Sequence, residues 1–178
     1  TVPTIGHLEG LCHVYIDKYA NINMAVKIVE NAKMRNVSVC GAAETLLIDK
    51  KCLKTHCEPI LNHLNKMGCK IIADKKIKNL ISFKTKNASI KDWSTEYLSP
   101  IISVKSVNGV NEAIKHINTY GTSHTDSIVT QNKRNAKKFL SNVNSSIAVH
   151  NASTQFADGG EFGFGAEVGI STGKIHPR

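Results

Sequence analysis

No hydrophobic run in these 178 residues reaches the length of a membrane span, and no leader with a charged, an apolar and a small-residue region opens the chain. Both absences speak against a membrane-spanning or secreted protein. A disulfide framework is also missing. The cysteines, at positions 12, 40, 52, 57 and 69, are odd in number and irregular in spacing. They read as reduced thiols, which places the expected setting in the cytoplasm. Zinc is the other use for such residues. Cys52 and Cys57 with His56 and His63 fit no common structural zinc spacing. Leu53, Cys57, Ile60, Leu61 and Leu64 share one helical face, so Cys57 reads as packing. Internal repeats are absent, and so is a glycine-rich nucleotide loop. Gly163-Phe164-Gly165 is too short for a dinucleotide fingerprint and lacks the strand–turn–helix context.

What is present is enough apolar sequence, 41% of the chain, for one sizeable domain with its own core. The first residue is Thr1 rather than methionine, so the chain is expected to be trimmed or part of something longer. Its net charge is +9, and much of the excess is local. Lys75, Lys76, Lys78, Lys84, Lys86 and Lys91 follow one another with only Asp74 and Asp92 at the ends. This run reads as a solvated loop or hairpin. Nucleic acid is the competing partner, but aromatics are few there and no nucleic-acid motif is present, so none is expected. The same charges suit an anionic, phosphate-bearing ligand.

Strand and helix patterns alternate. Strands are expected at 11–16, 45–48, 70–73, 101–107, 127–130 and 146–149, where β-branched or apolar residues cluster. Helical spacing marks 21–31, 51–67, 111–120 and 133–143. Gly68 and Gly121 read as helix stops, and Pro59 predicts a kink or a late start in the second helix. The alternation predicts an α/β fold, a three-layer αβα arrangement around a largely parallel sheet. Ligands in such sheets are expected beyond the carboxyl ends of the strands. Glycines 159, 160, 163, 165 and 169 mark a C-terminal loop whose backbone approaches something closely.

Chemistry is densest at Arg35-Asn36-Val37-Ser38-Val39-Cys40-Gly41-Ala42-Ala43-Glu44-Thr45. Small neighbours leave a path to the Cys40 sulfur. A helix N-terminus or a cation beside it would favour the thiolate, the form that attacks acyl carbons. The plainer alternative is a small buried hydrophobe.

Three segments in this order carry a resemblance: Val39-Cys40-Gly41-Ala42-Ala43-Glu44-Thr45-Leu46-Leu47; Ala113-Ile114-Lys115-His116-Ile117-Asn118-Thr119-Tyr120-Gly121-Thr122-Ser123-His124-Thr125-Asp126-Ser127-Ile128; and Asn151-Ala152-Ser153-Thr154 through Asp158-Gly159-Gly160-Glu161-Phe162-Gly163-Phe164-Gly165-Ala166-Glu167. They resemble the gamma-glutamyl phosphate reductases, or glutamate-5-semialdehyde dehydrogenases, of proline biosynthesis, within the aldehyde dehydrogenase superfamily. The resemblance runs along nearly the whole chain but covers only part of the family's length. It implies a remnant of a nucleotide-binding domain over 1–36, a catalytic domain over 37–150, and a glycine-rich active-site loop with a shortened C-terminal segment over 151–178.

The resemblance also implies roles. Cys40 matches the nucleophile that captures the acyl group of gamma-glutamyl phosphate as a thioester, for reduction by NADPH, with its backbone N–H facing the oxyanion. Glu96, in Thr95-Glu96-Tyr97-Leu98-Ser99-Pro100, matches the glutamate that binds the nicotinamide ribose, two acceptor oxygens facing a diol. His124, Thr125 and Asp126 match the part that meets the glutamyl end, with Asp126 suited to its ammonium; a loop histidine bonded to backbone is the alternative for His124. Glu161 is a second site carboxylate or a surface residue. Arg35 either helps hold the acyl phosphate or ends a helix at the surface. The segment Ile5-Gly6-His7-Leu8-Glu9-Gly10 has glycine where oxidising members carry a water-activating glutamate, and a phosphate-releasing reductase needs none. Gly41 and Thr122 depart from the usual asparagine and serine. Little or no activity is expected of this chain alone, with a homodimer or a partner chain supplying the cofactor domain. The alternatives are a decayed, non-catalytic binding or assembly module and an acyl-CoA-reducing relative, against which the His116–Ile128 signature argues.

Overall fold

A computed structural model describes residues 9–157, 159–162 and 165. The expectations that fall on Ile5–Leu8, Asp158, Phe164 and 166–178 lie outside the described residues. The strands are β1 (Cys12–Ile16), β2 (Ala43–Asp49), β3 (Lys70–Ala73), β4 (Lys86–Asn87), β5 (Ile101–Val107), β6 (Thr125–Val129) and β7 (Ile147–His150). They form one sheet in the order β4-β3-β5-β2-β1-β6-β7, and every pairing in it is parallel. The helices are α1 (Ile22–Met34), α2 (Glu58–Lys66), α3 (Lys75–Lys78), α4 (Gly109–Tyr120) and α5 (Lys133–Asn142).

Alternation along the central strands divides the core into two layers. Val14, Ile16, Leu46 and Ile48 point to one face, where Ala25, Ile28 and Val29 of α1 and Ile60, Leu61 and Leu64 of α2 cover them. Tyr15, Leu47 and Ile128 point to the other, under Ala113 and Ile117 of α4 and Phe139 of α5. With both faces covered, β1, β2 and β6 are buried at every residue, the pattern of a central parallel strand. Among the described residues no helix is long and apolar enough to cross a membrane.

Pro59 produces the late start. It lies in the first turn of α2, and Leu53–Cys57 ahead of it winds into a wider π turn. A proline there removes an N–H that a continuous helix would have used. Cys57 is buried in the core. His56 and His63 tie α2's region to its neighbours, reaching Ala20 O at 3.0 Å and Glu30 at 2.8 Å. Gly68 closes α2 at φ +86°.

Two expectations need correcting. The lysine-rich stretch is neither one loop nor a hairpin. It holds α3, capped by Asp74 accepting from Ile77 N at 2.9 Å, and β4 pairs parallel to β3, whereas a hairpin is antiparallel. Nor does residue 36 separate two bodies. β1 lies between β2 and β6 and α1 packs on the shared core, so the described part of 1–36, residues 9–36, shares its sheet and core with 37–150.

Candidate active site

The residues singled out as reactive lie just ahead of strands, not behind them. Cys40 precedes β2, Glu96 precedes β5 and His124 precedes β6. Because the strands are parallel, all three gather at the amino edge of the sheet. This reverses the expected carboxyl-edge placement. At the carboxyl edge a separate network is internally satisfied: the Tyr15 hydroxyl contacts Asp17 and Asp49 at 3.1 and 3.2 Å, and Thr130 and Asn135 donate to Asp17.

Cys40 sits in a turn and is half-buried. The segment after it enters β2, so no helix starts at the sulfur. Its backbone is gripped from two sides. Gly10 approaches so closely that a Cβ there would sit 2.4 Å from Cys40 O, which requires glycine. On the other side the Thr154 hydroxyl donates to Gly41 O at 2.7 Å. A side chain at Gly41 would meet Thr154 O at 3.2 Å, a contact to which the Thr154 backbone would have to yield. Gln155 is buried, and its amide donates to Ala32 O and Asn36 O at 3.0 and 3.1 Å, so the chain after β7 locks the end of α1 to the Cys40 turn.

Cys12 joins Cys40 to His124. Its thiol donates to Cys40 O at 3.2 Å and lies 3.5 Å from His124 Nδ1. Burial, followed by the charge of Asp126, pushes this thiol's pKa well up, so it stays protonated and able to donate. His124 is fully buried, with Nδ1 3.0 Å from Thr125 Oγ1.

The 120–126 loop wraps the start of β1 at successive points. A Cβ on Gly121 would meet His13 Cε1 at 3.2 Å and Ile117 O at 2.7 Å. Gly121 therefore ends α4 for want of space rather than through a left-handed turn. Thr122 Oγ1 accepts from Leu11 N at 3.0 Å, the bond its serine counterpart would also make. Asp126 is fully buried. Its Oδ1 accepts from His13 N and contacts His13 Nδ1, both at 2.8 Å, and its Oδ2 accepts from the Ser145 hydroxyl. Asp126 thus fastens β1, β6 and the approach to β7.

Glu96 lies on the opposite side of Gly10. Its Oε1 accepts from Gly10 N at 2.9 Å, which places a half-buried carboxylate beside the Cys40 turn. Beneath it, Lys33 Nζ meets Glu44 Oε2 at 2.6 Å with both side chains buried. Glu44 Oε1 accepts from Leu98 N at 3.3 Å. Burial outweighs the pull of Lys33 and holds the Glu44 carboxyl above its usual range. Leu98 (φ +47°) and Ser123 (φ +62°), in the two loops that frame the site, occupy the left-handed region. Such strain gathers where surrounding contacts over-determine a loop. Arg35 and Glu161 form an exposed ion pair, which joins the end of α1 to the chain after β7.

Of the residues singled out from sequence, the structure brings Cys40, Glu96, His124, Thr125 and Asp126 to one edge, while Glu161 lies in the chain after β7, paired with Arg35. Sequence reasoning missed Gly10, Cys12, His13, Thr154 and Gln155. Their contacts to the site span 28 to 123 positions, and no local spacing announces them.

A parallel αβα layer thus carries a half-exposed cysteine on its amino edge, with the Glu96 carboxylate and the His124 imidazole on the same edge. Consistent with this, the model of the aldehyde dehydrogenase family matches residues 77–169, and the chain belongs to that family. Within it, the gamma-glutamyl phosphate reductases of Mesorhizobium japonicum and Parvibaculum lavamentivorans are 52% and 54% identical over 99% of the chain. A gamma-glutamyl phosphate reductase structure from Thermotoga maritima superimposes on the whole chain with a TM-score of 0.94 at 43% identity, over 43% of its own length. The chain spans about two-fifths of the bacterial relatives, 41% and 42%.

Proposed function

We propose that this chain is the thiol-bearing part of a gamma-glutamyl phosphate reductase, which converts L-glutamyl 5-phosphate to L-glutamate 5-semialdehyde with release of phosphate, in proline biosynthesis. The observation that carries the reading is the half-exposed Cys40, set between Glu96 and His124 by Gly10 and Cys12. The Cys40 thiolate attacks the acyl carbon, the C–O bond to phosphate breaks, and a thioester forms on Cys40. The Cys40 N–H stabilises the oxyanion. Thr154 and Gln155, by fixing the turn, hold the sulfur in one place. The glutamyl end is assigned to the side of His124 and Thr125, whose buried side chains shape the wall, and the acyl phosphate to Arg35, which must part from Glu161 to meet it and so leaves Glu161 as a second site carboxylate. Asp126 shapes this pocket through His13.

NADPH is the cofactor this reading implies. Glu96 fits it: one carboxylate oxygen is committed to Gly10 N–H, and the half-buried group retains acceptor capacity for a ribose diol. When bound, the nicotinamide supplies the hydride that reduces the thioester. Turnover requires the sequence that the longer relatives carry beyond the matched part, in the same polypeptide or in a partner chain, within a homodimer or mixed assembly in the cytoplasm.

The test is NADPH formation from glutamate-5-semialdehyde, phosphate and NADP+, using this chain joined to the remaining length of a relative. Activity that disappears in Cys40→Ala supports the proposal. Activity undiminished by that change, or its absence in a folded wild-type assembly, refutes it.

A further inference from the structure

The lysine-rich stretch is not used by the site above. Part of it, with β3 and the start of β5, surrounds a cavity of about 360 Å³ at the β4 side of the sheet. Ile72 and Ile101 supply apolar lining on one face of the sheet, and Lys70, Lys84 and Lys86 surround it with positive charge. No carboxylate lines it. The three lysines are exposed, and none of their ammonium groups has an ion-pair or hydrogen-bond partner among the described residues. The acids that bracket the run are engaged elsewhere. Asp74 accepts from Ile77 N and from Ser106, and Asp92 from Ser89 and Tyr97.

A second, independent feature lies in the same wall. Thr85 is buried, and its hydroxyl has no hydrogen-bond partner among the described residues. A buried polar atom left without a partner is uncommon and calls for an explanation. Thr85 itself lines the cavity, so the acceptor its hydroxyl lacks is one that a bound ligand can supply.

We infer that this cavity binds a small organic anion, one with an apolar ring or chain and a phosphate-like or sulfonate-like head group. The ring lies on Ile72 and Ile101, which share a face of the sheet with Lys70, the head group meets Lys70, Lys84 and Lys86, and Thr85 donates to it once occupied. The volume falls in the range of small-ligand pockets. The alternation of an apolar floor with unpaired cations matches an amphiphilic anion better than a bare ion or a neutral ring.

The probe is 8-anilinonaphthalene-1-sulfonate, titrated by fluorescence against this chain. One variant changes Lys70→Gln, Lys84→Gln and Lys86→Gln. A second, Lys75→Gln, Lys76→Gln and Lys78→Gln, removes the same charge outside the cavity. Binding is expected to weaken by about tenfold or more in the first and to stay within about twofold in the second. Thr85→Val, isosteric and fold-preserving, is expected to weaken binding about threefold. N-phenyl-1-naphthylamine, with the same rings and no sulfonate, is expected to bind the wild type at least about tenfold more weakly. Equal weakening in both lysine variants, equal binding of the neutral probe, or no saturable binding overturns the inference. Circular dichroism of each variant confirms that it is folded.

Discussion

Alkylation should pick one sulfur out of five. Cys52, Cys57 and Cys69 are buried, and desolvation pushes each of their pKa values up to about 12. Cys12 is raised as well, by burial and by Asp126. At pH 8 a thiol with a pKa of about 12 is ionised to roughly one part in 10⁴, against about a quarter for an ordinary cysteine. That difference is about 2,000-fold in thiolate. A more basic thiolate is intrinsically more nucleophilic, with a Brønsted slope of about 0.4–0.5, which returns roughly 30-fold. A factor of about 60 remains from ionisation alone. The buried sulfurs must also be exposed by local opening, and an opening free energy of about 3 kcal/mol contributes another factor of about 150. Cys40, half-exposed and in a turn, needs no such opening. With iodoacetamide at pH 8, mass spectrometry should show one adduct, mapped to Cys40, while the other four resist at least about 100-fold longer. Cys40→Ser should leave no fast adduct. Two or more sulfurs labelled at similar rates, or an unreactive Cys40 in folded protein that labels fully when unfolded, would refute the reasoning.

Other outcomes can be measured by denaturant unfolding. His116 is buried and packed near His13 and Lys105, which lowers its pKa from 6.5 to about 3. The unfolded chain binds that proton first as pH falls. The stabilisation is therefore complete above pH 6.5 and lost between pH 6.5 and 3, by up to about 4–5 kcal/mol. His116→Phe should flatten this part of the pH profile, and an unchanged slope would contradict the assignment. Lys33→Met leaves Glu44 buried without its partner and should cost about 3–5 kcal/mol. Adding Glu44→Leu should recover much of that, whereas strictly additive losses would show that the pair is not coupled. Gly10→Ala forces a Cβ against Cys40 O and should cost about 1–3 kcal/mol and slow Cys40 alkylation. An effect on stability with no effect on that rate would dissociate Gly10 from the site. Ser123→Gly relieves a left-handed backbone and should raise stability by about 1 kcal/mol.

The layered fold was legible because its signals are short-range. Tyr15 between Val14 and Ile16, and the apolar repeat Ile60, Leu61 and Leu64, state their faces within a few residues. β3 and β5 match their predicted limits, Lys70–Ala73 and Ile101–Val107. The lysine stretch misled because its strand is two residues long and depends on β3 for its pairing. The edge on which the site lies was misjudged because the rule for open sheets assumes that ligands meet the loops after the strands. Here Cys40, Glu96 and His124 occupy the loops before them. Asp126 shows a further limit. Its residue type suits an ammonium, but its burial and its bonds to His13 and Ser145 are set by strands far apart in sequence.

The amino-edge location has an electrostatic corollary. In a parallel layer each crossover helix begins where its preceding strand ends and finishes beside the start of a later one. The edge bearing Cys40 therefore collects the carbonyl termini of helices: α1 closes at Arg35 and α4 at Gly121. Those termini carry partial negative charge, about half an electron each. An anion reaching this edge approaches against the field of the backbone. The two cations at the end of α1 are already committed, Lys33 in its last turn to Glu44 and Arg35 at its cap to Glu161, so any offset to that field begins with the parting of an ion pair.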